Sequence, residues 1–170
     1  MSKNNFLSNN IAKGGIFTAL SVIVLFLSNL IPINTLFFLI VASAIIPLTL
    51  ISTNLKTTII VYIATSVLSF FLLPSKQLAI NYFFLFGIYG LIKFFIEKIN
   101  KSWLEIILKL IFFNVSYFVI FNLTTEFFIG KSFKSPYLLL LFSNIFLFIF
   151  DYILTVFINY SHDNLLKHLK

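Results

Sequence analysis

A stretch without a single charged side chain dominates the first third of this chain. No Asp, Glu, Lys or Arg occurs in residues 14–55, a run of 42 residues. A helix needs roughly 20 apolar residues to cross the hydrocarbon core of a bilayer. Pro32 and Asn34 interrupt the run, because proline disfavours helix at the preceding residue and asparagine favours helix caps. The run therefore predicts two membrane-spanning helices.

The composition extends this prediction to the whole chain. Hydrophobic residues make up 60% of it, charged residues 10%, and the mean hydropathy is +1.06, whereas a soluble domain carries about 25% charged residues. We therefore predict an all-α integral membrane protein in which residues 1–170 form a single transmembrane domain, a bundle of six helices. The predicted spans are residues 12–31, 35–53, 57–73, 77–97, 102–124 and 136–160, and Pro47 is expected to kink the second.

The lysines indicate how such a bundle lies in the membrane. Positive charge accumulates on the cytoplasmic side of short loops, and nine of the twelve lysines fall near one predicted side. This excess predicts both termini in the cytoplasm and a multi-pass protein of the cell membrane. No basic patch stands apart from a predicted span, so nucleic acid is not an expected partner. The nine lysines are Lys3, Lys13, Lys56, Lys93, Lys98, Lys101, Lys109, Lys167 and Lys170.

Four charges punctuate the predicted hairpin of the fourth and fifth spans. Lys93 and Glu97 are four residues apart, as are Glu105 and Lys109, so each pair shares one helix face. Folding the hairpin brings Glu97 level with Glu105. In a structural interpretation both lysines reach the headgroups through their flexible stems, and Ser102 with Glu105 forms a capping box. In the alternative, Glu97 and Glu105 are contact residues for a docking partner, or the four charges form an internal charge network.

Asp151 lies inside the sixth predicted span, about 13 Å from its cytoplasmic end. A short side chain at that depth cannot reach water, so it is expected to face the bundle interior and find a partner. Lys93 and Lys109 lie at similar depth, which predicts a buried ion pair, with Tyr152 and Thr155 close enough to complete its hydrogen bonds. A proton-relay or coupling role is the alternative.

Small residues mark one face of the first span. Gly15 and Ala19 are four residues apart, the spacing that lets two membrane helices approach closely. Both packing within the bundle and contact with a separate membrane protein are consistent with this face.

Neutral polar side chains are scattered through the predicted outer half. They either line a pocket that opens to the outside or form hydrogen bonds between helices. They are Asn29, Asn34, Asn81, Tyr82, Tyr117, Asn122 and Asn144.

Residues for catalysis are scarce. The chain has no Cys, both histidines (His162 and His168) lie in the tail, and Asp151 is the single acid deep in a span. No glycine-rich phosphate loop is present. The sequence therefore predicts no catalytic residue, metal or cofactor, and a protein that is not an enzyme.

The segment GGIFTALSVIVLFLSNLIP, residues 14–32, in a six-span chain with both termini inside, resembles the S component of energy-coupling factor transporters. It is also similar to related bacterial six-span membrane proteins. Its small residues are similar to the motif through which S components contact their transmembrane coupling protein.

The resemblance implies a solute-binding subunit of an importer. Such a subunit docks through Gly15 and Ala19 to a coupling protein, and separate cytoplasmic ATPases drive it. A small ligand would enter from the outside, with a lining drawn from Asn29, Asn81, Tyr117 and Asn144. The alternative function is a non-transporting scaffold in a bacterial membrane or cell-envelope complex, docking through the charged hairpin.

Overall fold

The structure, a computed structural model, describes the backbone of residues 3–127 and 136–168, and the side chains of 8–31, 33–124 and 143–163. Every regular element within these ranges is helical. A 3-10 turn, Pro32–Asn34, joins the first two helices, and a π-helix, Tyr82–Gly87, joins the fourth and fifth. The helices are α1 (Lys3–Leu30), α2 (Thr35–Ser52), α3 (Leu55–Leu72), α4 (Lys76–Asn81), α5 (Ile88–Glu97), α6 (Ser102–Phe127) and α7 (Pro136–His168).

Six stretches of the described chain are long and apolar enough to cross a membrane, and they fit a multi-pass membrane protein. α4, the π-helix and α5 together form one of them, Lys76–Glu97. The helices coincide with the predicted spans, although α1 begins earlier than expected and α7 runs further. The all-α class is confirmed for the described residues.

Proline and asparagine set the helix ends near the start of the bundle. Pro32 begins the 3-10 turn between α1 and α2, as its fixed φ angle favours. Asn54 caps α3, because its side-chain oxygen accepts a hydrogen bond of 2.9 Å from the Thr57 amide. Pro47 lies inside α2, which continues on both sides of it.

The turn between α5 and α6 corrects one prediction. Asn100 adopts a left-handed conformation with φ of 54°, which asparagine tolerates better than most residues. The carbonyl of Lys101 accepts the first hydrogen bond of α6, at 3.0 Å from the Glu105 amide. Lys101 is therefore the capping position and Ser102 is already inside the helix. The predicted Ser102–Glu105 capping box is wrong.

Aromatic side chains fill the interface between the fourth span and α7. The ring of Phe150 lies 5.2 Å from that of Tyr89 and 5.3 Å from that of Phe86, measured between centroids. Phe146 stacks on Phe150 one turn away. Tyr89 and Phe150 are fully buried, so this cluster fixes α7 against α5 directly beside Asp151.

Gly90 allows α2 and α5 to approach closely. A Cβ atom at this position would lie 2.8 Å from the Cδ atom of Pro47 and 3.3 Å from two atoms of Ile46. A proline ring on a helix has little freedom to move aside. The absence of a side chain at Gly90 is therefore a requirement of the packing.

Gly90→Ala is expected to destabilise the bundle by roughly 1–3 kcal/mol, because the added methyl group overpacks the Pro47 contact. The measurement is the melting temperature of the purified protein in detergent. Gly15→Ala is the matched control, since a Cβ atom there meets nothing within 4 Å. Equal melting of the two variants would contradict the close approach.

Candidate functional site

Four charged side chains form a closed ring inside the bundle, which we call the ion-pair ring: Lys93, Asp151, Lys109 and Glu97. Asp151 contacts Lys93 through Oδ1 and Lys109 through Oδ2, the latter at 2.8 Å. Glu97 Oε1 lies 2.7 Å from the Lys93 Nζ atom and 3.1 Å from that of Lys109. Positive and negative groups therefore alternate around the ring, and their charges cancel.

Two hydroxyl groups complete the ring. The Tyr89 hydroxyl donates a hydrogen bond of 2.7 Å to Asp151 Oδ1. The Thr155 Oγ1 atom accepts one of 2.8 Å from the Lys93 ammonium and donates its own proton to the Asp151 carbonyl. Tyr152, considered as a partner from the sequence, is 70% exposed and points away. Asp151 thus has three donors, contributed by α5 and α6.

Helical periodicity explains how the ring assembles. Tyr89, Lys93 and Glu97 recur every four residues on α5, so all three project from one face. α6 contributes Lys109 and α7 contributes Asp151. Because each of three helices provides at least one member, the ring ties together elements that are distant in sequence.

The members of the ring differ in how much of each side chain is exposed. The side chain of Lys93 is 1% exposed and that of Lys109 12%, whereas Asp151 is 21% and Glu97 38% exposed. Lys93 is therefore enclosed by protein, and the prediction that it reaches the headgroups is wrong. An ammonium group in such surroundings is tolerated because both carboxylates neutralise it and Thr155 takes a further N–H.

The ring does not reproduce the predicted pairing of the hairpin. The sequence pattern placed the carboxylates of Glu97 and Glu105 side by side, but Glu97 reaches Lys109 across the hairpin instead. Glu105 is half-buried and makes no ion pair with any residue the structure describes. Since Glu97 has an internal role, Glu105 is the better of the two for testing a docking surface.

The small residues of α1 face outwards. Gly15 and Ala19 are both exposed, while the neighbouring Gly14 provides the close contact with α3: a Cβ atom on Gly14 would lie 2.9 Å from Thr57. Of the two alternatives for the Gly15–Ala19 face, packing within the bundle is therefore not the one observed.

A groove runs along this face between α1 and α3, which we call the α1–α3 groove. It has a volume of about 630 Å³. α1 contributes Ile11, Gly14, Gly15, Thr18, Ala19, Val22 and Ile23, and α3 contributes Thr57, Ile60, Val61, Ala64 and Leu68. None of these lining residues is charged, and six of the twelve are Gly, Ala or Thr.

The four residues suggested as a ligand lining are not gathered around one described cavity. Asn144 exchanges hydrogen bonds of 3.2 and 3.3 Å with Asn114, which links α6 to α7. Tyr117 stacks on Phe121. Asn29 and Asn81 are half-buried in α1 and α4. Of these contacts, the Asn144–Asn114 pair joins two helices, whereas the Tyr117–Phe121 stack lies within α6.

A second cavity lies between α3 and α4, which we call the α3–α4 pocket. It has a volume of about 320 Å³, and four of its eight lining residues are phenylalanines. Its lining residues are Ser66, Val67, Phe70, Phe71, Ala79, Ile80, Phe83 and Phe84. Part of the π-helix thus forms one wall of this pocket.

Two features of the interior escaped the sequence analysis. The contribution of Tyr89 is visible afterwards in its spacing, four residues before Lys93 on the same face. The sequence contains only a weak indication of the π-helix, which is the glycine at position 87. A Cβ atom there would lie 2.9 Å from the Tyr82 ring. The Tyr62 hydroxyl supports the π-helix by donating 2.8 Å to the Phe83 carbonyl, a contact across 21 residues that no local pattern predicts.

Comparisons with protein-family models, curated proteins and solved structures find no match to this chain. Among the described residues, no group of three or more His, Cys, Asp and Glu side chains is placed to hold a metal ion. The functional proposals therefore rest on the geometry and on the sequence pattern of α1.

Replacing Asp151 is expected to test the ring. Asp151→Leu leaves two lysines facing one carboxylate and is expected to cost about 3–5 kcal/mol, measured as thermal stability in detergent. Asp151→Asn is expected to cost less, because the amide oxygen still accepts a hydrogen bond from Tyr89 or a lysine. Adding Lys93→Met to Asp151→Leu is expected to recover part of the loss by removing the unpaired charge.

Glu105→Gln is the control for these variants, since Glu105 lies outside the ring and its loss is expected to leave melting unchanged. If Asp151→Asn and Asp151→Leu melted alike, the hydrogen bonds to Asp151 would contribute nothing to stability.

Proposed function

We propose that the chain is a membrane-embedded subunit of an importer that docks to a separate transmembrane coupling protein through the α1–α3 groove. The observation that carries this proposal is the exposure of Gly15 and Ala19 in a groove of which half the lining residues are Gly, Ala or Thr. A helix can approach such a surface closely, and close packing is a main source of association between membrane helices.

The groove has the dimensions of a helix-binding surface. Its lining on α1 extends from Ile11 to Ile23, about 18 Å at 1.5 Å per residue. Bulky exposed side chains border the small residues, with Ile16 at 67% and Ile60 at 65% exposure. One transmembrane helix of a partner would therefore bury several turns of its length here.

Lysines at one end of the groove indicate the chemistry of that partner. Lys13 precedes Gly14 on α1, Lys56 precedes Thr57 on α3, and Gly14 and Thr57 are in close contact. The two lysines are therefore attached at the same end of the groove, which is the cytoplasmic end in the predicted orientation. An acidic side chain near the cytoplasmic end of the partner helix would complement them.

A scaffold without transport activity is the second candidate. The observation that favours it is the pairing of Asn144 with Asn114, because a polar side chain bonded to a neighbouring helix is less available to a solute. In this function the partner docks at the turn between α5 and α6. Trp103 is 85% exposed there, and Glu105 makes no ion pair with described residues.

Photo-crosslinking in native membranes tests the groove. A photoreactive amino acid at Ala19 is expected to trap a single transmembrane protein, and Gly15→Leu is expected to abolish that product by filling the groove. Gly15→Ala adds only one methyl group into open space and is expected to retain most of it. The importer is supported if the trapped protein also binds ATPase subunits and the Gly15→Leu cells lose uptake of a solute.

Phe118 provides the matched control position, since it lies on α6 and is 68% exposed. A product of the same size and yield from Phe118 and from Ala19 would indicate random contact in the bilayer and contradict docking at the groove. An unchanged product in Gly15→Leu would contradict it as well.

Glu105→Lys tests the scaffold. If the partner docks at the α5–α6 turn, reversing this charge is expected to reduce its co-purification roughly tenfold or more, since like charges at an interface are costly. Glu105 lies outside the ion-pair ring, so insertion and melting are expected to stay unchanged. Full co-purification of the partner would argue against docking at this turn.

A further inference from the structure

A regular stripe of exposed side chains runs along the outer face of α7. Its members are spaced alternately four and three residues apart, an average of about 3.5, which is the period that keeps one seam of a helix against a parallel partner helix. Phe148 and Ile153 flank the stripe and are exposed as well. We call these residues the α7 stripe: Ile145, Ile149, Tyr152, Val156 and Asn159.

Two members of the α7 stripe are polar. Tyr152 and Asn159 are seven residues apart, so they occupy the same position in successive repeats of the 3.5-residue period. Neither side chain hydrogen-bonds to another residue in the described part of the chain. A tyrosine hydroxyl and an asparagine amide can each donate and accept a hydrogen bond. Both groups are therefore able to pair with a copy of themselves.

Tyr152 lies at a depth where no water is at hand. The adjacent Asp151 contacts Lys109, which is seven residues, or about 10 Å, along α6 from Ser102 at its start. The next charge towards the tail is Asp163, eleven residues after Tyr152 and about 16 Å away. Side chains on a helix lean towards its N-terminus, so the Tyr152 ring leans away from that end. A hydroxyl without a partner in such surroundings is costly.

The interior of the bundle fixes the direction of the α7 stripe. Asp151 is held towards α5 and α6 by Lys93 and Lys109, and Phe150 is fully buried against Tyr89. A helix turns by about 100° per residue, so the stripe is directed away from the bundle while these contacts hold. The surface is therefore preformed, and a partner does not have to order it.

A second copy of the chain suits this surface. Copies inserted in the same orientation are related by a two-fold axis along the membrane normal, so Tyr152 and Asn159 each meet their own counterpart at equal depth. β-branched side chains alternate with the polar ones, as in parallel pairs of helices, and no stripe residue carries a charge that its counterpart would repel. Lipid tails at this depth carry no hydrogen-bonding group.

We propose that the chain forms a parallel homodimer through the α7 stripe, in which the Tyr152 hydroxyls hydrogen-bond to each other and the Asn159 amides do the same. This inference goes beyond the proposed importer function. The α7 stripe shares no residue with the lining of the α1–α3 groove, so the homodimer holds whether or not a coupling protein docks there.

Cysteine crosslinking in native membranes tests the contact. The chain contains no cysteine, so a single one can be placed at each position and oxidised with a membrane-permeant reagent. Ile149→Cys and Val156→Cys are expected to give a covalent dimer of twice the chain mass. Phe118→Cys is the control, since this exposed residue lies on α6, and it is expected to give little dimer.

Energy transfer between labelled copies in phosphatidylcholine vesicles tests the hydrogen bonds. Tyr152→Phe is expected to raise the dissociation constant of the dimer roughly fivefold, as the loss of one hydrogen bond between membrane helices does. Asn159→Leu is expected to have an effect of similar size. Tyr160→Phe is the matched control, because Tyr160 is on the same helix and equally exposed but outside the stripe. It is expected to leave the constant unchanged.

Four outcomes would overturn the homodimer. They are no dimer from the stripe cysteines in a chain that melts normally, equal dimer yields from Val156→Cys and Phe118→Cys, a crosslink to a different protein, and equal effects of Tyr152→Phe and Tyr160→Phe. The groove is tested separately. If the Ala19 crosslink forms and the stripe cysteines give no dimer, docking stands and the homodimer is wrong. The reverse pattern overturns docking and leaves the homodimer.

Discussion

An ammonium group stays inside an apolar bundle only where acceptors surround it, and Lys93 meets that condition through α5, α6 and α7 together. Its partners are Glu97 one turn away, and Asp151 and Thr155 on α7. Lys109 closes the ring from α6. Removing one member of the ring leaves another charge unpaired inside the bundle, which is costly. The aromatic cluster around Phe150 packs beside the ring and also joins α5 to α7.

The charged groups of the ring pair with one another, and this bears on which parts of the molecule are suited to binding. Every charge in it has at least two partners, so no unpaired group remains there to attract a ligand. Buried polar groups without a hydrogen-bond partner in the described part of the chain lie outside the ring, as does the open face of Gly15 and Ala19. The ring therefore contributes to holding α5, α6 and α7 together, while the open Gly15–Ala19 face lies on α1.

The sequence predicts the helices well and their contacts unevenly. Charge-free runs and prolines place the spans because the bilayer sets helix length. The similar depth of Asp151, Lys93 and Lys109 in their spans predicted an ion pair, because a charged side chain deep in a membrane needs a partner. What the sequence could not provide is the direction of each side chain. Gly14 and Gly15 are adjacent in the sequence, yet Gly14 contacts Thr57 and Gly15 is exposed. Similarly, the Glu97 side chain pairs with Lys109 and not with the level of Glu105.

α3 lines both the α1–α3 groove and the α3–α4 pocket. Thr57 and Val61 line the α1–α3 groove, while Ser66 and Phe70 line the α3–α4 pocket further along the same helix. A ligand can change docking only by binding one arrangement of the bundle better than another. The pocket is walled by α3 on one side and by the π-helix on the other, and π-helical turns often occur at functional sites. If occupancy of the pocket is communicated to the groove, displacement of α3 against the π-helix is the shortest route. Such a displacement would have to break the hydrogen bond from the Tyr62 hydroxyl, on α3, to the Phe83 carbonyl in the π-helix.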